Sequence, residues 1–112
     1  MQMCKEMQKL RDMLDERGII WHDLSDITSE ERISLLVEKD LQRGYADTTI
    51  WRTHFEVDGI EYSVINGFGT YGGFNSYTRH NLGLLECMTD KANGGEPVGH
   101  LTAEEVMEII ES

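Results

Sequence analysis

Asp58-Gly59 separates two runs of alternating residues. Trp51, Thr53, Phe55 and Val57 interleave with Arg52, His54 and Glu56 before it. Ile60, Tyr62 and Val64 interleave with Glu61 and Ser63 after it. An Asp-Gly pair between such runs predicts a two-residue β-hairpin, because both turn positions need φ > 0. The register then pairs Val57 with Ile60, Phe55 with Tyr62 and Thr53 with Val64 on a core-facing side. The other side pairs His54 with Ser63 and Glu56 with Glu61. Two opposed carboxylates are tolerated only on a wet face, so one face of this hairpin is expected to stay in water.

The flanking segments supply helices. Met3, Met7, Leu10 and Leu14 form one apolar stripe over residues 3–17, and Gly18 marks its stop. On so small a chain this Met/Leu stripe is also a candidate contact with a second copy. Ile19 to Leu24 reads as a short strand. Thr28 and Glu31 fit a capping box opening a middle helix from Ser29 to Arg43, closed by Gly44. Leu82 to Met88 is too short for its period to decide between strand and helix. Ala92 to Pro97 reads as a loop, and Thr102 with Glu105 opens a C-terminal helix. The expected class is α+β: a small antiparallel sheet with an N-terminal, a middle and a C-terminal helix, in a single domain spanning 1–112.

Charge narrows the partners. The net charge is −11 and the pI about 4.6, which disfavours DNA or RNA duplexes and anionic membranes. Cys4 and Cys87 have no metal or disulfide spacing, no apolar run is long enough to span a bilayer, and MQMCKEMQKL is not a signal peptide. A cytoplasmic protein is expected. His22, His54, His80 and His100 are too widely spaced for a local metal motif. No nucleophile elbow or triad is present, so neither catalysis nor a cofactor is expected.

The acid is unevenly placed. Residues 62–85 carry none, and Arg79 is their only formal charge. Within them lies NGFGTYGGFNSYTRHN (66–81), with four glycines and five flat rings. Gly67, Gly69 and Gly72 match G-x-G-x-x-G, but no helix start follows, so the dinucleotide fingerprint is rejected. Two readings of the glycines remain: a cradle of backbone N–H groups for phosphate, or a bulged turn without a ligand. Tyr71, Phe74 and Tyr77 offer faces for stacking a base, worth about 1–3 kcal/mol each. Asn75 and Asn81 offer amide donors and acceptors. Arg79, with Arg52 and His80, offers charge-assisted bonds to phosphate. The candidate ligand-binding set is Tyr71, Asn81, Arg79, Thr70, Phe74, Asn75 and Arg52. The same residues also suit a protein interface, which makes a small inhibitor docking a host protein through loop 66–81 the alternative.

RTHFEVDGIEYSVINGFGTYGG (52–73), NLGLLE (81–86) and GEPVGHLTAEEVM (95–107) resemble a family of small phage and prophage proteins, the first-described Thoeris anti-defence sponges. The resemblance covers most of the chain apart from roughly residues 27–44. It implies a protein that binds and sequesters cyclic ADP-ribose isomers made by bacterial TIR-domain proteins, without cleaving them, in the infected host. It implies a homo-dimer with pockets near the protomer interface, often assembled into a hexamer. Some members also bind cyclic oligonucleotides at separate sites, for which Arg43, Arg52 and His100 are the candidates in this chain. The family's signal pocket uses an aromatic residue and an asparagine ten positions later, which fall on Tyr71 and Asn81. The resemblance therefore implies that Tyr71 stacks on the ligand and Asn81 fixes its polar edge.

Overall fold

The computed structural model describes residues 2–29, 48–74 and 80–112. The expected middle helix lies outside these residues from position 30 onward. The rest is an α+β fold. A five-stranded sheet runs β1 (Trp21–Asp23), β2 (Ile50–Val57), β3 (Ile60–Gly67), β4 (Leu85–Thr89), β5 (Val98–Leu101) in that spatial order, and every neighbouring pair is antiparallel. Two helices, α1 (Lys5–Glu16) and α2 (Ala103–Glu111), accompany it.

The hairpin forms in the expected register: Val57 opposes Ile60, Phe55 opposes Tyr62, Thr53 opposes Val64 and Glu56 opposes Glu61. Asp58 (φ 53°) and Gly59 (φ 78°) both take the left-handed conformation this turn requires. Phe55 and Tyr62 stack across the strands with ring centroids 5.0 Å apart. Leu82–Met88 resolves as strand, from Leu85. Strand β5 was not expected; it follows the Ala92–Pro97 loop directly.

Both helices supply one core. Met7, Leu10 and Leu14 of α1 and Val106, Met107 and Ile110 of α2 are buried with Phe55, Tyr62, Val64, Leu85 and Cys87. Met7, Leu10 and Leu14 of the stripe are fully buried in this core and Met3 packs partly buried against it, so the stripe is taken up within the protomer, which corrects its expected use against a second copy. The helix ends as sequence suggests: Gly18 N–H donates to Asp15 O (3.0 Å) and Ile19 N–H to Leu14 O (2.9 Å), a Schellman stop. At α2, Thr102 and Glu105 cap each other reciprocally.

One polar residue shares the core side of α1. Arg11 is 6% exposed. Its Nε donates to Thr53 Oγ1 (2.8 Å), and its guanidinium reaches Asp23 (3.3 Å) and Arg52 O (3.2 Å) while covering the Trp21 ring at 4.6 Å. A charge is costly to bury unless it is paired and bonded. Here a single side chain ties α1 to β1 and β2. On the opposite face of the sheet Arg52, Glu56, Glu61 and Met88 are exposed, whereas Glu86 is buried.

Candidate functional site

The Gly-rich segment begins where β3 ends. Gly67 (φ 151°) passes so close to the neighbouring strand that a Cβ there would lie 2.1 Å from Thr49 O. Phe68 N–H donates to Thr49 O (3.1 Å), and Phe74 N–H closes back onto Gly67 O (2.9 Å). Thr70 completes the knot: its hydroxyl donates to Gly67 O (3.0 Å) and accepts from Gly67 N–H (3.1 Å). A Cβ at Gly73 would lie 2.2 Å from both Gly67 O and Thr70 Oγ1. The glycines therefore let backbone meet backbone.

Over the described residues 67–74 this geometry bears on the two readings of the loop. The N–H groups of Gly67, Phe68, Gly69, Thr70, Tyr71, Gly73 and Phe74 all have acceptors inside the protein. A phosphate cradle needs free N–H groups, so the bulged turn is the better description.

The rings separate. Phe74 is 8% exposed and stacks on Phe68, with centroids 6.1 Å apart. Among the described Phe and Tyr rings of the loop, Tyr71 turns outward, 59% exposed. Its backbone is held at both ends: its N–H donates to Glu86 Oε1 (2.8 Å), and its carbonyl accepts from His100 N–H (3.2 Å). Beneath it lies Gly99, where a Cβ would come within 2.3 Å of Tyr71 Cβ. The phenol thus stands on a fixed base formed by β4 and β5.

Asn81 is joined to the same base from the other side. It exchanges amide hydrogen bonds with the fully buried Asn66, and its Oδ1 also accepts from Gly83 N–H (2.8 Å). Leu84 N–H donates to Gly72 O (3.1 Å) and Leu82 N–H to Gly73 O (3.4 Å), which stitches residues 81–84 to the turn. The structure therefore links Tyr71 and Asn81 through one backbone network, although Asn81's amide already has protein partners.

The other candidates fall differently. Thr70 (3% exposed) and Phe74 are engaged inside the loop, so in this conformation they hold the turn rather than face a ligand. Arg52 is exposed on β2, opposite Ile65 of β3. Asn75 and Arg79 lie outside the described residues. Sequence reasoning missed Glu86, Gly99 and Asn66, and placed His100 only at a second ligand site. Glu86 matters most: it is 8% exposed, and it brings a carboxylate beneath a loop that is acid-free in sequence. Only the β4–β5 pairing reveals it, and nothing in VGHL signals that strand.

Two shallow grooves lie elsewhere. One of about 490 Å³ is lined by His22, His54, Glu56 and Glu61 among others, and one of about 210 Å³ by Ser63, Met88 and Asp90 among others. Neither includes Tyr71 or Asn81. Among the described residues no three His, Cys, Asp or Glu side chains form a metal-binding group, and no helix is long and apolar enough to cross a membrane. No protein-family model, curated protein or solved structure matches the chain.

Proposed function

We propose that this protein binds a cyclic ADP-ribose isomer and sequesters it without cleaving it, acting as a phage anti-defence sponge against TIR-based immunity in the cytoplasm of an infected host. One observation carries the reading: among the described residues an exposed aromatic face, Tyr71, is held on a base pinned by Glu86, Gly99 and His100. Stacking on a ring that is already ordered needs little reorganisation. The resemblance of residues 52–73, 81–86 and 95–107 to the sponges supplies the ligand class.

The protein is proposed to act as a homo-dimer, with the hexamer of the family as its extension. Because α1 is buried, the contacts fall on other apolar surface, where Ile20 and Leu24 stand 79% and 54% exposed. Incubation with a cyclic ADP-ribose isomer, followed by filtration and then heat denaturation, is expected to remove the ligand from solution and return it intact. A ligand that stays in solution, or returns hydrolysed, sinks the proposal.

A second reading rests on Leu82, 39% exposed near Tyr71. Together they present apolar surface suited to a protein partner. A stoichiometric host protein captured by the wild type and lost with Tyr71→Ala, with no nucleotide bound, favours that inhibitor module.

A further inference from the structure

We infer that His100 donates a hydrogen bond to a phosphate of the ligand stacked on Tyr71; the inference rests on the nucleotide reading above. The position comes first. His100 N–H is bonded to Tyr71 O at 3.2 Å, and the preceding residue, Gly99, packs directly against Tyr71. Residue 100 is therefore fixed beside the aromatic platform. It reaches that place through an irregularity in the sheet. Leu85 pairs with Leu101 and Cys87 with Val98, so Gly99 and His100 together oppose Glu86. Bulges of this kind re-aim side chains and recur beside functional sites.

The backbone at His100 is the second observation. It takes φ 59°, a conformation that glycine adopts at lower cost. Its side chain is exposed and makes no hydrogen bond or ion pair with a described residue. The fold gains nothing visible from an imidazole here and would be better served by glycine. Strain kept at a position without a structural use points to function.

The third observation is a shortage of donors. Among the described residues, the N–H groups of Gly67 to Tyr71, Gly73 and Phe74, the Thr70 hydroxyl and the Asn81 amide have protein partners. Glu86 adds a carboxylate beneath Tyr71. Among the described residues, an N–H for an anionic group on a ligand stacked there is best supplied from beside the turn. An imidazole supplies one in either protonation state.

The test compares a phosphate-bearing and a phosphate-free ligand. Affinities for cyclic ADP-ribose isomers by calorimetry, and for adenosine by chemical-shift titration, are measured for wild type, Tyr71→Ala, His100→Gly and His100→Asn. Tyr71→Ala is expected to weaken both ligands. His100→Gly is expected to weaken the isomer about tenfold, as for one lost hydrogen bond to a charged group, with adenosine unchanged and no fall in melting temperature. His100→Asn keeps an N–H donor and tolerates the left-handed backbone, so it should retain most of the affinity. Equal binding by wild type and His100→Gly, or an equal loss for both ligands, overturns the inference and leaves the sponge reading standing. If the wild type binds no isomer, both fall.

Discussion

Asn66 and Asn81 hold each other by both amides: Asn66 Nδ2 donates to Asn81 Oδ1 at 2.9 Å, and Asn81 Nδ2 donates to Asn66 Oδ1 at 2.7 Å. Asn66 is fully buried and also donates to Leu84 O at 2.8 Å. Truncating Asn81 would leave the Asn66 carbonyl oxygen without this partner, and such a loss costs about 1–3 kcal/mol. Asn81→Ala is therefore expected to lower stability by roughly 2 kcal/mol in urea unfolding. An unchanged unfolding midpoint would show that the amide pair carries no load. Any loss of ligand in this variant must be read with its stability, because Asn81 is a structural residue whatever else it does.

Tyr71 and Gly99 give a cleaner perturbation. The Tyr71 ring is largely exposed, so Tyr71→Ala should change stability by less than about 1 kcal/mol. Gly99→Ala places a methyl group 2.3 Å from Tyr71 Cβ, and the turn must move to admit it. Under the proposed function, Gly99→Ala should reduce isomer binding at least tenfold, about 1.4 kcal/mol, although its own side chain meets no ligand. Calorimetry on the two variants checks this. Full affinity in Gly99→Ala would mean that the platform does not need its fixed base.

Arg11 carries a load of another kind. Arg11→Ala removes its packing on Trp21 and its bonds to Thr53, Asp23 and Arg52 O. The expected cost is roughly 3 kcal/mol. Arg11→Met should recover more than half of it, because Thr53 Oγ1 still donates to Met7 Sδ (3.1 Å) and Arg52 O still accepts from Leu24 N–H (3.1 Å). A methionine as damaging as alanine, by denaturant midpoint, would place the contribution in the charge rather than in the volume.

The parts that sequence foretold are those governed by neighbours in the chain. Asp58-Gly59 sets its own turn and hence the β2–β3 register; Thr102 and Glu105 are three residues apart; Gly18 terminates the helix it follows. The parts it did not foretell depend on contacts distant along the chain. Arg11 reads as an ordinary polar residue of a helix until β2 brings Thr53 to it, 42 positions away. Strand β5 has four residues, a glycine and a left-handed histidine, so neither period nor propensity marks it. Of the candidate site, the turn-forming glycines were legible in the sequence, while Tyr71 stood beside Phe74 and Tyr77 until the resemblance singled it out. The base of the site was not legible, because Glu86, Gly99 and His100 meet Tyr71 only after the sheet has formed. Thr70 and Phe74 look like ligand contacts in sequence for the same reason: nothing local shows that the loop folds onto them.

Acid should probe the β1–β2 end of the sheet. Asp23 accepts hydrogen bonds from the Ser25 hydroxyl and from its backbone N–H, and Arg11 lies beside it. These hold its carboxyl below the ordinary value, the Ser25 hydroxyl contributing most. Lys9 lowers Glu104 in the same way between α1 and α2, chiefly by its hydrogen bond. A carboxyl depressed in the folded state favours folding at pH values above its unfolded pKa. That advantage disappears as pH falls through the folded one. The stability from both groups should therefore be complete above about pH 5 and lost progressively below about pH 4. Ser25→Ala removes the largest cause at Asp23, so the acid limb of its stability curve should begin at a higher pH than that of the wild type. Urea midpoints of both proteins from pH 7 to pH 2.5 decide it. Parallel curves would show that the Ser25 bond adds nothing to the acid dependence.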